Sequence, residues 1–150
     1  MRWIAVFDTN VVFSGLGWRG TPYRCLELAR ADIVEGITCR EVLDELAEKL
    51  ATKLRFSPTQ VTDTIADLLT FLRLVTITNR LKVVPTDPDD DKVVECAVVG
   101  GATHIVTGDR RHLLPLGSYQ GIAIVSAADF LGLVTGSSEG DESGRPVSAK

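Results

Sequence analysis

Short apolar segments alternate with amphipathic ones along most of this chain. The apolar segments are rich in isoleucine and valine without strict apolar–polar alternation, which is typical of strands covered on both faces. They predict strands at residues 3–7, 32–38, 72–78, 104–107 and 121–126. Helical periodicity predicts helices at residues 22–31, 39–54, 57–72, 89–101 and 127–133. This alternation predicts an α/β domain with a mostly parallel central sheet.

Local signals mark where two of these helices begin. Ser57 followed by Pro58 fits an N-cap with proline at the first helical position. Ser126, with Asp129 three residues later, resembles a capping box. The helices at residues 57–72 and 127–133 therefore have defined starts.

The composition favours one globular domain. The chain has 150 residues, of which 45% are hydrophobic and 24% charged, enough apolar material for a core. From about Gly136 the sequence becomes polar and rich in glycine and serine. We predict a folded domain at residues 1–134 and a flexible tail at residues 135–150 that the chemistry does not need.

Three observations limit the class of protein. No apolar run is long enough to span a bilayer, and the N-terminal segment reaches an acid too early for a signal peptide. Cys25, Cys39 and Cys96 are far apart, so we expect buried thiols in a reducing cytoplasm rather than disulfides or a zinc site. The net charge of −4 argues against binding nucleic acid by broad electrostatics alone, unless a metal ion supplies positive charge.

Carboxylates follow two of the predicted strands. Asp8 ends the first apolar run, and Asp109 comes shortly after the run at residues 104–107. Sites in open α/β sheets lie beyond the carboxyl ends of the strands, so the two acids converge if their strands are neighbours. A carboxylate at the rim of a core must be solvated, paired or bound to a cation.

A run of acids opens the helix at residues 89–101. Asp91 directly precedes its periodic apolar positions, so it is best placed to face the sheet edge. Asp87, Asp89 and Asp90 are predicted to be solvated turn and cap residues, because helix N-termini favour aspartate.

The helix at residues 39–54 offers two more candidate acids. Asp44 and Glu45 lie at the two rims of its apolar arc, whereas Glu41 and Glu48 point to water. Periodicity leaves Asp44 and Glu45 as alternatives.

Acids from four segments, with no catalytic histidine or cysteine arrangement, indicate a hard divalent cation. Mg²⁺ and Mn²⁺ prefer oxygen ligands, and such an ion activates water and neutralises a phosphodiester. His104 and His112 have no partner at ligand spacing, so we expect a strand residue and a surface residue respectively.

The motifs "FDTN", "VLDEL" and "DPDDDKVVECAVVGGATHIVTGD" resemble those of the PIN-domain family of metal-dependent ribonucleases. Within this family, the chain most resembles the VapC-like toxins. The resemblance covers residues 3–133. It implies a three-layer α/β/α fold, Mg²⁺ or Mn²⁺ dependence, RNA cleavage, a homodimer and inhibition by a small cognate antitoxin. By motif, the family's catalytic and metal-binding acids fall on Asp8, Glu45, Asp91 and Asp109.

The resemblance also implies supporting roles for Asn10 beside the first acid and for Thr107 as a hydroxyl at the metal site. The basic residues nearest the motifs are candidates for phosphate contacts. They are Lys49, Lys53, Arg55, Arg110 and Arg111.

Other classes of protein fit less well. A receiver domain needs an acidic pair at the first strand and a late lysine, and a hydrolase with an aspartate nucleophile needs D-x-D where this chain has "DTN". Two alternatives stay open: a PIN nuclease of RNA processing that is not a toxin, and a non-catalytic RNA- or protein-binding module on the same fold.

Overall fold

The computed structural model describes residues 2–83 and 88–136. The strands in these ranges are β1 Ile4–Phe7, β2 Glu35–Cys39, β3 Leu72–Val75, β4 His104–Val106, β5 Ser118–Tyr119 and β6 Ile122–Val125. They form one sheet in the order β3-β2-β1-β4-β6-β5. Every neighbouring pair is parallel except β5 and β6, which are antiparallel. The predicted α/β class with a mostly parallel sheet is confirmed.

Helices cover both faces of this sheet. They are α1 Thr9–Gly17, α2 Thr21–Arg30, α3 Arg40–Lys53, α4 Pro58–Leu68, α5 Pro88–Gly100, α6 Leu113–Leu116 and α7 Ala127–Thr135. Along β1, Val6 packs into an apolar cluster with α5, whereas Ala5 and Phe7 pack into a second cluster with α1, α2, α3, α4 and α7. Because successive strand residues face opposite sides, the two clusters make the predicted three layers.

Helix α1 has no counterpart among the predicted helices. Its sequence, "TNVVFSGLG", is rich in glycine and β-branched residues, which are weak helix formers. Packing against α2 compensates: a Cβ atom at Gly15 would lie 2.6 Å from Leu26 Cδ1 and 3.1 Å from the Pro22 carbonyl oxygen. Close packing against α2 therefore requires glycine at position 15 and stabilises a helix that the local sequence favours only weakly.

Several boundaries also differ from the prediction, while the N-cap roles of Ser57 and Ser126 are confirmed. The helix expected at residues 57–72 ends at Leu68, and the strand expected at residues 72–78 ends at Val75. The side chains of Ser57 and Ser126 each accept a hydrogen bond from the backbone N–H three residues later, over 3.1 Å.

The three cysteines are buried free thiols, as expected. Helix α7 ends at Thr135, and Gly136 caps it in the left-handed conformation with φ of 73°. The rest of the predicted tail, residues 137–150, lies outside the described residues. Within the described ranges, no helix has both the length and the apolar character needed to cross a membrane.

A buried carboxylate on α5 holds the segment that follows β3. Glu95 is only 6% exposed. Its Oε2 accepts hydrogen bonds from the backbone N–H groups of Thr78 and Asn79, over 2.9 and 3.1 Å, and its Oε1 accepts one from Leu81 over 3.2 Å. Burial acts to raise the pKa of Glu95, but these hydrogen bonds outweigh it and hold the pKa below its ordinary value.

Replacing Glu95 with glutamine should lower the free energy of unfolding by about 2 kcal/mol at neutral pH. The amide removes one accepting oxygen, which leaves a buried backbone N–H without its acceptor. Because the folded-state pKa lies below the unfolded value of about 4.3, the wild-type advantage is present above that pH and is lost as the pH falls through the folded-state pKa. Urea unfolding of wild type and Glu95→Gln from pH 7 to about pH 3 measures this difference in the free energy of unfolding. An advantage that does not change with pH would contradict this role.

Candidate metal centre

Asp8 and Asp109 follow neighbouring parallel strands. Phe7 of β1 pairs with Val106 of β4, and the backbone N–H of Asp8 donates to the Val106 carbonyl over 2.9 Å. Thr107 joins the two acids: its Oγ1 donates to Asp8 Oδ2 over 2.7 Å and accepts from the Asp109 backbone N–H over 3.0 Å. Since Thr107 is fully buried, its hydroxyl fixes one acid relative to the other.

Helix α3 brings Glu45 to the same edge and directs Asp44 to solvent. Thr9 Oγ1 donates to Glu45 Oε1 over 2.7 Å, and Lys92 Nζ lies 3.0 Å from the same oxygen. The Asp44 side chain is 71% exposed and lies 3.8 Å from Arg40. The geometry thus distinguishes two acids that periodicity left as alternatives, while a ligand role for Glu45 stays a prediction.

The pKa values of Asp8 and Glu45 shift in opposite directions. Burial raises the pKa of Asp8, and hydrogen bonds from Thr107 and the Thr9 backbone offset it only in part. Burial acts in the same sense on Glu45, but hydrogen bonds from Thr9 and Lys92 outweigh it and lower the pKa. The pocket therefore resists a charge on Asp8 and supports one on Glu45.

Lys92 is a site residue that the sequence analysis missed. Its side chain is only 14% exposed and reaches from α5 to Glu45 on α3. The available signal was a lysine between an acidic run and two valines on the predicted inner face of a helix. A cation among carboxylates offsets their mutual repulsion.

Asp109 forms a second group of ligand atoms with Asp90 and His112. One ligand atom from each residue lies within 4.8 Å of the others. Nδ1 of His112 is 3.5 Å from Asp90 Oδ2 and 3.4 Å from Asp109 Oδ2. The prediction that Asp90 is a solvated cap is wrong, since its side chain is 13% exposed. The prediction that His112 is a surface residue is also wrong, since its side chain is only 23% exposed and lies against both carboxylates.

The carboxylate of Asp109 also shapes the loop that carries His112. Its Oδ1 accepts from the backbone N–H groups of Arg111 and His112 over 3.0 and 3.3 Å, and its Oδ2 accepts from Leu113 over 3.3 Å. Burial acts to raise the pKa of Asp109, but the hydrogen bond that it shares with the Asp90 carboxyl group and those from these backbone groups lower it below its ordinary value. Aspartate commonly closes such a turn with its own side chain, but this local pattern does not show that His112 reaches Asp90 on α5.

Asp91 contacts the segment that precedes α5. It is 6% exposed, and its Oδ1 accepts a hydrogen bond from the backbone N–H of Val83 over 2.8 Å. The acid of α5 in contact with Asp109 is Asp90. The role that the resemblance gives to Asp91 stays a prediction. Of the other acids in this run, Asp89 is exposed and Asp87 lies outside the described residues.

The family model of the PIN domain matches residues 5–111, which span all of these acids. The chain belongs to the PIN domain family. Its fold is similar to that in the crystal structure of VapBC2 from Rickettsia felis bound to a DNA fragment from their promoter, with a TM-score of 0.56 and 15% sequence identity. That match covers 81% of this chain and 96% of the other. A search of curated proteins found no significant match.

The donor atoms of this PIN domain fit a hard divalent cation. The carboxyl groups of Asp90 and Asp109 contact each other, an arrangement that repels unless a proton or a cation lies between them. Carboxylate oxygens with one imidazole nitrogen suit Mn²⁺, and the oxygens alone suit Mg²⁺. Within the described residues, Asp90, Asp109 and His112 offer such donor atoms within 4.8 Å of one another, while ligand roles for Asp8 and Glu45 stay predictions.

The remaining candidates of this PIN domain are mostly exposed side chains. Asn10 is exposed in the first turn of α1. Lys49 is half-buried on α3, and the positive charge of Lys49 favours the ionised form of Glu45. The other basic candidates are exposed: Lys53 and Arg55 at the end of α3, and Arg110 and Arg111 after β4. Their contacts with a substrate stay predictions.

Proposed function

We propose that this PIN domain is a Mg²⁺- or Mn²⁺-dependent endoribonuclease and the toxin of a toxin–antitoxin pair. One observation carries the proposal: Thr107 links Asp8 to Asp109 at the carboxyl edge of the sheet, and Asp90 of α5 contacts Asp109 there. We assign the metal ligands and catalytic acids to Asp8, Glu45, Asp90 and Asp109. Asp90 takes the place that the resemblance gave to Asp91, because Asp90 contacts Asp109.

The reaction is hydrolysis of an RNA phosphodiester. The oxygen of a water molecule forms a bond to phosphorus, one P–O bond to a ribose oxygen breaks, and the released ribose oxygen takes up a proton. A bound divalent cation supplies activation of that water and neutralisation of the phosphodiester charge.

The side chains of this chain do the positioning. Thr107 and Thr9 orient Asp8 and Glu45 by hydrogen bonds of 2.7 Å. The Lys92 ammonium reduces the negative charge that an RNA phosphate meets. Arg110 and Arg111 are exposed beside Asp109, where they bind phosphates flanking the scissile one.

The partners follow from the same proposal. The fold match to VapBC2, whose crystal structure includes a promoter DNA fragment, supports a cognate antitoxin. We further propose that the protein acts as a homodimer in the cytoplasm, where its three free thiols stay reduced.

Cleavage of labelled single-stranded RNA tests the activity. We expect cleavage with Mg²⁺ or Mn²⁺, loss of cleavage with EDTA, and recovery when Mn²⁺ is added in excess. Glu45→Gln should lower the rate by about 100-fold, whereas Asp44→Asn, a matched change one residue away, should leave it unchanged because Asp44 faces solvent.

Three results would contradict the proposal. Cleavage that persists in EDTA would exclude a metal-dependent mechanism. Binding of RNA without cleavage under every metal condition would favour the non-catalytic module. Loss of activity in the Asp44 variant alone would exclude Glu45 from the site.

A further inference from the structure

His112 lies beside two of the acids assigned to the proposed metal centre, although the resemblance implies a site of acids alone. Its Nδ1 is 3.4 Å from Asp109 Oδ2 and 3.5 Å from Asp90 Oδ2. We propose that His112 donates Nδ1 to the bound cation and thereby makes the site prefer Mn²⁺ to Mg²⁺. This inference rests on the proposed function, because it concerns the same metal centre.

The spacing of the three ligand atoms supports a shared ion. Metal–ligand bonds of about 2.1 Å place two ligands of one ion roughly 3 Å apart when adjacent and roughly 4.2 Å apart when opposite. One atom from each of Asp90, Asp109 and His112 lies within 4.8 Å of the others. Small side-chain rotations therefore suffice to bring all three to one ion.

The loop holds the imidazole in place. The backbone N–H of His112 donates to Asp109 Oδ1 over 3.3 Å, and the next residue, Leu113, is fully buried in the core. With the side chain 23% exposed, the ring is anchored at its backbone and still reachable by an ion from solvent. A donor on an anchored element loses little freedom when it binds.

The chemistry of the donor sets the preference between ions. Mg²⁺ prefers oxygen ligands and retains its waters, whereas Mn²⁺ is a first-row transition-metal ion that also binds imidazole nitrogen, although more weakly than the later ions of the series. Coordination through Nδ1 requires the ring proton on Nε2. A nitrogen donor next to two carboxylates therefore adds affinity for Mn²⁺ and little for Mg²⁺.

The experiment compares wild type with His112→Asn, which offers an amide in place of the nitrogen donor. Isothermal titration with MnCl₂ and with MgCl₂ should show Mn²⁺ affinity about 10-fold lower in the variant, with Mg²⁺ affinity changed less than about 2-fold. Electron spin-echo envelope modulation of the Mn²⁺-loaded wild type should show coupling to ¹⁴N, and the variant should lack it. The other histidine, His104, packs against Trp3 and Phe130, so loss of the coupling identifies His112.

Two outcomes would overturn the inference. Mn²⁺ bound without ¹⁴N coupling, and with equal affinity in both proteins, would make His112 a partner of the carboxylates only; EDTA-sensitive cleavage would still support the proposed function. If neither ion binds the wild-type protein, both the inference and the proposed function fail. Circular dichroism of the variant shows whether the fold is intact.

Discussion

Replacing Asp90 with asparagine should lower the rate of RNA cleavage about 100-fold or more, a larger effect than that of altering a group which only supports a metal ligand. The substitution removes a charge and one accepting oxygen with little change in shape. The Asp90 side chain is 13% exposed and contacts Asp109, so losing its charge acts directly on the proposed centre. Initial rates at saturating Mn²⁺ measure the effect, and thermal melts verify the fold.

Asp91→Asn is the matched control, one residue along the same helix. The asparagine oxygen can still accept the hydrogen bond from Val83, so we expect a rate within about threefold of wild type. An inactive Asp91 variant beside a fully active Asp90 variant would reverse the assignment and return Asp91 to the site. Two inactive variants would place both acids of α5 in the site.

Asp8→Asn should stabilise the metal-free protein by about 1 kcal/mol at neutral pH, because a buried charge disappears. Asp8 is 7% exposed, and its burial raises its pKa. A carboxyl group whose folded-state pKa is raised favours folding below its unfolded pKa of about 3.9. It loses that benefit as the pH rises through the folded-state pKa. The stabilisation by Asp8→Asn should therefore shrink as the pH falls towards 4.

The same variant should respond weakly to metal. Ligand at about 100 times Kd adds roughly 2.7 kcal/mol to the wild type, a rise in melting temperature of about 5–10 °C for a chain of this size. We expect less than half of that rise in Asp8→Asn. Thermal melts in EDTA and in excess Mn²⁺ measure both effects. An equal rise in both proteins would mean that Asp8 does not hold the ion.

The convergence of Asp8 and Asp109 could be predicted only on the condition that their strands are neighbours, and the structure meets that condition by pairing β1 with β4. Each acid follows an apolar strand, and parallel strands place their carboxyl ends at one edge. The position of Glu45 could be narrowed but not decided by periodicity, since Asp44 and Glu45 lie at opposite rims of one apolar arc. The contacts that distinguish them come from Thr9 and Lys92, which belong to other helices.

The choice between Asp90 and Asp91 depends on how α5 is rotated on the sheet. The buried residues Val93 and Val94 lie three and four residues after Asp90, and Val94 lies three residues after Asp91. Helical periodicity therefore permits either acid to face the site. His112 was misplaced for a related reason, because its position depends on a turn closed by the Asp109 carboxylate.

The ammonium of Lys92, 3.0 Å from Glu45, is a cation that the chain carries to its own carboxylate. Because it is tethered to α5, this positive partner stays beside Glu45 whether or not a metal ion is bound. A divalent ion interacts about twice as strongly as a monovalent one with the same carboxylate by Coulomb's law, so a bound Mg²⁺ or Mn²⁺ would compete with Lys92 for Glu45. Glu45 would thus exchange one positive partner for another when such an ion binds, and would not stand as an unpaired carboxylate before it does.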